Sequence, residues 1–113
     1  DNPAYILRIA EVYLIAAEAK KLAGGGLEFI NTLRENRGMD ALTNLEVADE
    51  AAFLQIVLDE RLSELNFEGH RYFDLAHFGM VTDELGEGVL PCLPIPGREI
   101  GASGGAIVQY PGY

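Results

Sequence analysis

From Phe53 to Glu68 the apolar positions repeat with the period of a helix. At about 100° per residue, Phe53, Leu54, Ile56, Val57, Leu58, Leu62, Leu65 and Phe67 spread over a wide arc, while Gln55, Asp59, Ser63 and Asn66 form the one consistently polar strip. Glu60, Arg61, Glu64 and Glu68 fall inside the apolar arc. An unpaired buried charge costs several kcal/mol even after relaxation, so these four require partners held in place by the fold.

The same reading along the chain predicts about four helices. Asn2-Pro3 is a helix start, with Asn as N-cap and Pro at the first helical position. Tyr5–Ala23 is apolar on nearly every side, as in a largely buried helix, and Ala10, Ala16, Ala17, Ala19 and Ala23 would let a neighbour approach closely. Gly24-Gly25-Gly26 breaks it, and so short a link favours an antiparallel hairpin with a second helix over Leu27–Arg37, whose Leu27, Ile30 and Leu33 point inward. Gly38 closes that helix, Met39–Ala48 is a loop, and Asp49 caps the third helix, which runs to about Glu68. Gly69 ends or kinks it, and a short fourth helix covers His70–Phe78. From Gly79 onward glycine and proline crowd the chain, around Leu93-Pro94-Ile95-Pro96 and Tyr110-Pro111-Gly112-Tyr113, which predicts an irregular tail without regular helix, pinned by Ile95, Ile100, Ile107 and Val108. The expectation is an all-α single domain over residues 1–113 with a coil tail.

Charge narrows the function. Eighteen acids against eight bases leave a net charge of −10, and the arginines stand singly rather than in a basic run, which excludes nucleic acid and disfavours an anionic membrane surface. The lone Cys92 rules out an internal disulfide framework and reads as a small apolar residue in a turn. No stretch approaches the roughly 20 apolar residues of a membrane span, and no signal peptide is visible in a chain that opens on Asp1.

Three chemistries can be weighed. Glu60, Glu64 and Glu68, at i, i+4 and i+8, could supply a general acid/base pair as in glycoside hydrolysis, but catalytic carboxylates face each other across a cleft, whereas these share one stripe. Arg61, Arg71 and Arg8 or Arg34 are placed to neutralise them, and continued helical geometry through Gly69 would allow Glu68–Arg71 and Arg71–Asp74 pairs. His70, Asp74 and His77 could present two imidazoles and a carboxylate to a metal, although Arg71 competes for Asp74; no metal or cofactor is expected. Ser63 and Ser103 lack a nucleophile elbow, and Cys92 lacks a nearby His. Tyr72, Phe73 and Phe78 could stack on sugar rings or partner side chains, with Phe73 the one expected in the core and Tyr72 outside.

Four segments, in order, carry a family pattern. Arg8–Ala19 reads R-I-A-E-V-Y-L-I-A-A-E-A, and Asn31–Arg37 matches N-x-x-R-x-R with one extra residue before the second Arg. Glu60-Arg61, Glu64-Leu65, Phe67-Glu68-Gly69, Arg71 and Asp74-Leu75 match E-R-x-x-E-L-x-F-E-G-x-R-x-x-D-L. Leu93-Pro94-Ile95-Pro96, Glu99-Ile100, Gln109 and Pro111-Gly112-Tyr113 match its ending, with Tyr110 where Asn is more usual. The chain resembles the C-terminal part of the SusD/RagB family of outer-membrane nutrient-binding lipoproteins.

That resemblance implies tetratricopeptide-like helix pairs and a binding protein rather than an enzyme. It implies an oligosaccharide or other nutrient ligand, a SusC-type TonB-dependent transporter as partner, and a surface-exposed outer-membrane location through a lipidated cysteine that this chain lacks. Members are several times longer, and their ligand contacts come largely from regions absent here. The loops Met39–Ala48 and Met80–Leu90 are short where the family often carries insertions. On this reading Arg8, Glu60, Arg61, Glu64, Glu68, Arg71 and Asp74 form a structural charge network and no ligand-binding residue is assigned. A helix-repeat module that binds a protein without any sugar role is the alternative.

Overall fold

A computed structural model describes residues 7–113. The expected Asn2-Pro3 cap and the start at Tyr5 lie outside the described residues. Among the described residues there are six helices and no strand: α1 (Ile9–Lys20), α2 (Gly26–Asn36), α3 (Glu50–Glu64), α4 (Arg71–His77), α5 (Val81–Leu85) and α6 (Gly97–Ala102). The all-α expectation holds. Two compact units divide between Asp74 and Leu75.

In the first unit α1 packs against α2 and α3. The α1–α2 pair is antiparallel: one groove between them is lined by Ile9 and Ala10 together with Leu33 and Asn36, while Tyr13 meets Phe29 edge-to-face at 5.9 Å. Ala10, Leu14 and Ala17 of α1, Leu27, Ile30 and Leu33 of α2, and Phe53, Val57 and Leu58 of α3 are buried. These sets follow helical spacing, so each helix gives one face to a shared core. The expected all-round burial of the first helix is corrected: Ile9, Val12 and Ile15 are exposed. The helix is also shorter than its apolar run. Arg8 is extended (φ −126°, ψ 149°) and Lys21 turns left-handed (φ 59°), so backbone geometry stops it at both ends.

Gly26 does more than break the helix. A Cβ at this position would stand 2.4 Å from the Ala17 carbonyl oxygen, 2.6 Å from that of Lys21 and 2.8 Å from the Phe53 ring. The missing side chain is what allows α1, α2 and α3 to meet at one point.

The loop between α2 and α3 is tied down by side chains. The Asn31 amide donates to the Leu42 carbonyl (2.9 Å) and accepts the Leu42 N–H (2.8 Å), in the manner of a strand partner. Thr43 donates its N–H and its hydroxyl to Glu46, and these bonds, the backbone one first, hold the Glu46 carboxyl below the usual carboxylate range. Asp49 caps α3 as expected, its carboxylate accepting the Ala52 N–H at 2.9 Å.

The third helix ends at Glu64, four residues before its predicted end. The Leu65 carbonyl accepts from Glu68 N–H, Asn66 Oδ1 accepts from Phe67 N–H, and Phe67 and Gly69 both take positive φ (63° and 82°). Phe67 therefore leaves the apolar arc and is exposed, as is Leu62, while Leu65 stays buried. The expected fates of Tyr72 and Phe73 are exchanged: Phe73 is exposed and Tyr72 half-buried.

In the second unit, α5 and α6 correct the expectation of a tail without regular helix. Pro96 stands at the N-cap of α6, where a missing N–H removes no helical hydrogen bond, and α5 ends at Gly86 (φ 94°). Ile95 and Ile100 are half-buried, but Ile107 and Val108 are exposed and pin nothing. The segment is closed instead by polar contacts. The Gln109 amide donates to the Ile95 carbonyl and accepts its N–H, both at 2.9 Å, and the Tyr113 hydroxyl donates to the Cys92 carbonyl.

Candidate functional site

The last two turns of α3 carry the densest charge in the first unit. Glu60 accepts from Nη1 of Arg34 on α2, and Arg34 Nε donates to the Asp40 carbonyl at 3.0 Å, so one guanidinium joins α2, α3 and the loop after α2. One turn later, Glu64 accepts from Arg37 at 2.6 and 3.0 Å and from Arg8 Nη1 at 3.1 Å. Arg8 also donates to the Glu64 carbonyl at 2.7 Å and reaches Glu68 at 2.8 Å. The extended backbone before α1 is thereby fastened to the end of α3.

Arg61 takes another direction. Adjacent residues on a helix differ by about 100°, so Arg61 cannot share the face of Glu60 and Glu64. Its Nε and Nη2 converge on Asp74 Oδ1 at 2.8 and 2.7 Å, with the two side chains only 9% and 8% exposed. The sequence reading had Arg61 neutralising the α3 glutamates and Arg71 serving Asp74. The structure brings Arg8, Glu64 and Glu68 together, Glu60 to Arg34, and Arg61 to Asp74. Arg37 was missed as a network member; its only sequence signal was its place in the N-x-x-R-x-R pattern.

Arg37 holds the Glu64 carboxyl below the usual carboxylate range; burial pushes the other way, and Arg8 adds to the lowering. Glu68 and Glu64 raise Arg8 in turn, and Glu64 raises Arg37. A carboxyl held ionised in this way is a poor general acid. The sign of the linkage follows. The Glu64 contribution to stability is complete above its unfolded value, about 4.3, and is lost as pH falls through the lower folded value. Denaturant unfolding of the intact protein between pH 7 and pH 3 is expected to show a steep acid limb that Glu64→Gln flattens. An unaltered limb in the variant would count against the assignment.

The metal triad is not assembled. Asp74 is occupied by Arg61, His70 Nδ1 lies 3.7 Å from Glu11, and His77 packs its ring edge-to-face on Phe78 at 5.2 Å. Among the described residues no group of three or more His, Cys, Asp or Glu is arranged to hold an ion. Ser63 and Ser103 each donate to a backbone carbonyl of their own helix, Asp59 and Ile100 respectively. Cys92 is half-buried.

A cavity of about 300 Å³ opens where α3 gives way to α4, lined among others by Leu62, Leu65, Phe67, His70, Arg71 and Tyr72. Its walls are mainly carbon. Arg71 and Asp74 thus border a space that the sequence did not predict, and Phe67, assigned to the core, stands at its edge.

The four motif segments coincide with the contacts that hold the fold: Arg8 to α3, Asn31 and Arg34 to their loop, Arg61 to Asp74, and Gln109 to Ile95. A sequence model of the SusD family matches residues 1–88. The chain belongs to the SusD family. It is 36% identical over 83 residues to SusD-like protein P25 of Formosa agariphila, covering 69% of this chain and 16% of that protein. It is 30% identical over 127 aligned positions to SusD-like protein P2 of the same organism, covering 95% of this chain and 25% of that protein. The chain spans a quarter or less of the length of these curated relatives, and no solved structure matches it. No described helix of this SusD-family chain is long and apolar enough to cross a membrane.

Proposed function

We propose that this chain is scaffold for a nutrient-binding protein of the bacterial outer membrane, one that takes an oligosaccharide and hands it to a SusC-type TonB-dependent transporter. Membership of the SusD family over residues 1–88 is the observation that carries the reading. Arg8, Glu60, Arg61, Glu64, Glu68, Arg71 and Asp74 serve as structure in it. Guanidinium–carboxylate contacts such as Arg34–Glu60 and Arg8–Glu64 leave those carboxylates engaged, which supports binding rather than hydrolysis. The same membership supports an outer-membrane location.

Calorimetry of the full-length protein against a panel of oligosaccharides, alongside an assay for released reducing sugar, tests the proposal. Binding without release is expected, together with co-purification of the transporter. Sugar release by the purified protein would overturn it. The exposed row Ile9, Val12 and Ile15 on α1 favours a second reading, a helix-repeat module that binds a polypeptide and no sugar. That reading predicts a blank oligosaccharide panel with protein capture retained.

A further inference from the structure

We propose that His70 and Glu11 form a pH-operated clasp that holds the head of α4 on α1, engaged when the imidazole is protonated and released when it is neutral. The inference stands whatever ligand the protein takes.

Glu11 is a demanding place for a charge. Its side chain is only 13% exposed, in the first turn of α1 between the buried Ala10 and Leu14. The positive end of the helix dipole meets an anion there, yet a carboxylate so far out of water also calls for a counter-charge. Among the described residues, His70 is the side chain within ion-pair distance, with Nδ1 at 3.7 Å from Oε1. Arg8, three residues earlier, is spent on Glu64 and Glu68. A lysine or arginine would pair with Glu11 at every pH. Histidine does so only when protonated, and as a residue type it changes charge around pH 6.5.

The other charges around His70 do not take the place of Glu11. Glu68, on the same turn, is engaged by Arg8, and Arg71 is a cation that opposes a second one beside it. Arg61 of α3 and Asp74 of α4 line the same cavity as His70 and are bound to each other. Glu64, at the end of α3, is held by Arg8 and Arg37.

His70 is also where one contact has leverage. Between α3 and α4 the backbone leaves helical geometry, with Phe67 and Gly69 at positive φ, and the Glu68 N–H reaches the Leu65 carbonyl at 3.1 Å. The His70 carbonyl accepts the Asp74 N–H at 3.0 Å, which opens the hydrogen-bond ladder of α4. A side chain that fastens His70 to α1 therefore fixes the end of the turn and the start of the next helix together. Such irregular segments open locally at a small free-energy cost, so a single ion pair changes the open fraction measurably. The sign is set by the proton: pairing favours the charged imidazole, so the stabilisation is present at low pH and is lost as pH rises through the imidazole range.

Hydrogen exchange of the full-length protein at pH 8 and pH 6, corrected for intrinsic rates, tests the clasp at the amides of Glu68 and Asp74. Protection in the wild type is expected to be about fivefold greater at pH 6, the upper end for a part-exposed pair. His70→Gln is expected to show the low protection at both pH values, and His70→Lys, a permanent cation, the high protection at both. Glu11→Gln is expected to abolish the difference. A rise that survives in His70→Gln or in Glu11→Gln would place the switch in another group and overturn the proposal. Equal protection at the two pH values in the wild type would do the same. Wild-type NMR of the His70 ring supplies an arm free of substitutions: its charge is expected to change in step with the protection. A ring that titrates with no change in protection, or that stays neutral down to pH 5.5, would sink the clasp.

Discussion

Replacing Arg61 with alanine is expected to remove roughly 3–5 kcal/mol of folding stability, the largest effect of any charged position in this chain. The reason is burial rather than the bare attraction of the pair. Asp74 is 6% exposed as a residue, and Arg61 reaches it with two nitrogens (Nε at 2.8 Å, Nη2 at 2.7 Å). Alanine would leave a largely buried carboxylate without its guanidinium. Replacing both partners, Arg61→Leu with Asp74→Leu, is therefore expected to cost much less than Arg61→Ala alone, because no uncompensated charge remains. Denaturant unfolding of the intact protein reads both values. A loss below about 1 kcal/mol for Arg61→Ala would show that the site is solvated and that the buried-pair argument fails.

Gly26→Ala is expected to cost about 3 kcal/mol, at the upper end for overpacking. Two of the three atoms that a Cβ would meet are backbone oxygens, at 2.4 and 2.6 Å, and they cannot yield without moving the end of α1. Gly25→Ala provides the contrast. Its φ of 85° makes any side chain strained, but the nearest atom is the flexible Glu28 side chain at 3.8 Å, so about 1 kcal/mol is expected. Equal losses at the two positions would mean that the turn conformation, and not the close approach of three helices, sets the requirement for glycine.

Much of the first unit was legible because helical period and caps are local. The inward set Leu27, Ile30 and Leu33 and the Asp49 cap depend on neighbours within a few residues and appear where the pattern placed them, whereas the break falls earlier than Gly24–Gly26: α1 ends at Lys20 and Gly26 already opens α2. The end of α3 was not legible in this way. The apolar period continues through Leu65 and Phe67, but Asn66 and two residues at positive φ turn the backbone away, and a wheel has no term for that choice. The tail failed differently: glycine and proline were read as barring helix, whereas at the ends of short helices they terminate or precede it.

The candidate site follows the same division. The need for partners at Glu60, Arg61 and Glu64 was visible, since charges inside an apolar arc must be compensated. Which arginine meets which carboxylate was not, because Arg8, Arg34 and Arg37 reach α3 from 26 to 56 residues away along the chain. The cavity beside Phe67 was invisible because it opens at the turn over Asn66–Gly69, whose backbone conformation a helical wheel does not encode.

The sequence by itself determined the helical class, the helices of the first unit to within a few residues, the family, and the burial of Glu60 and Arg61; Glu64, expected beside them, is only half-buried and Glu68 is exposed. Those properties depend on short-range periodicity and on residue types whose burial has a fixed energetic consequence. Only the tertiary structure decided the pairing of Arg61 with Asp74 and the three-helix contact that requires Gly26. Each depends on where separate segments come to lie in space, a distance that spacing along the chain does not encode.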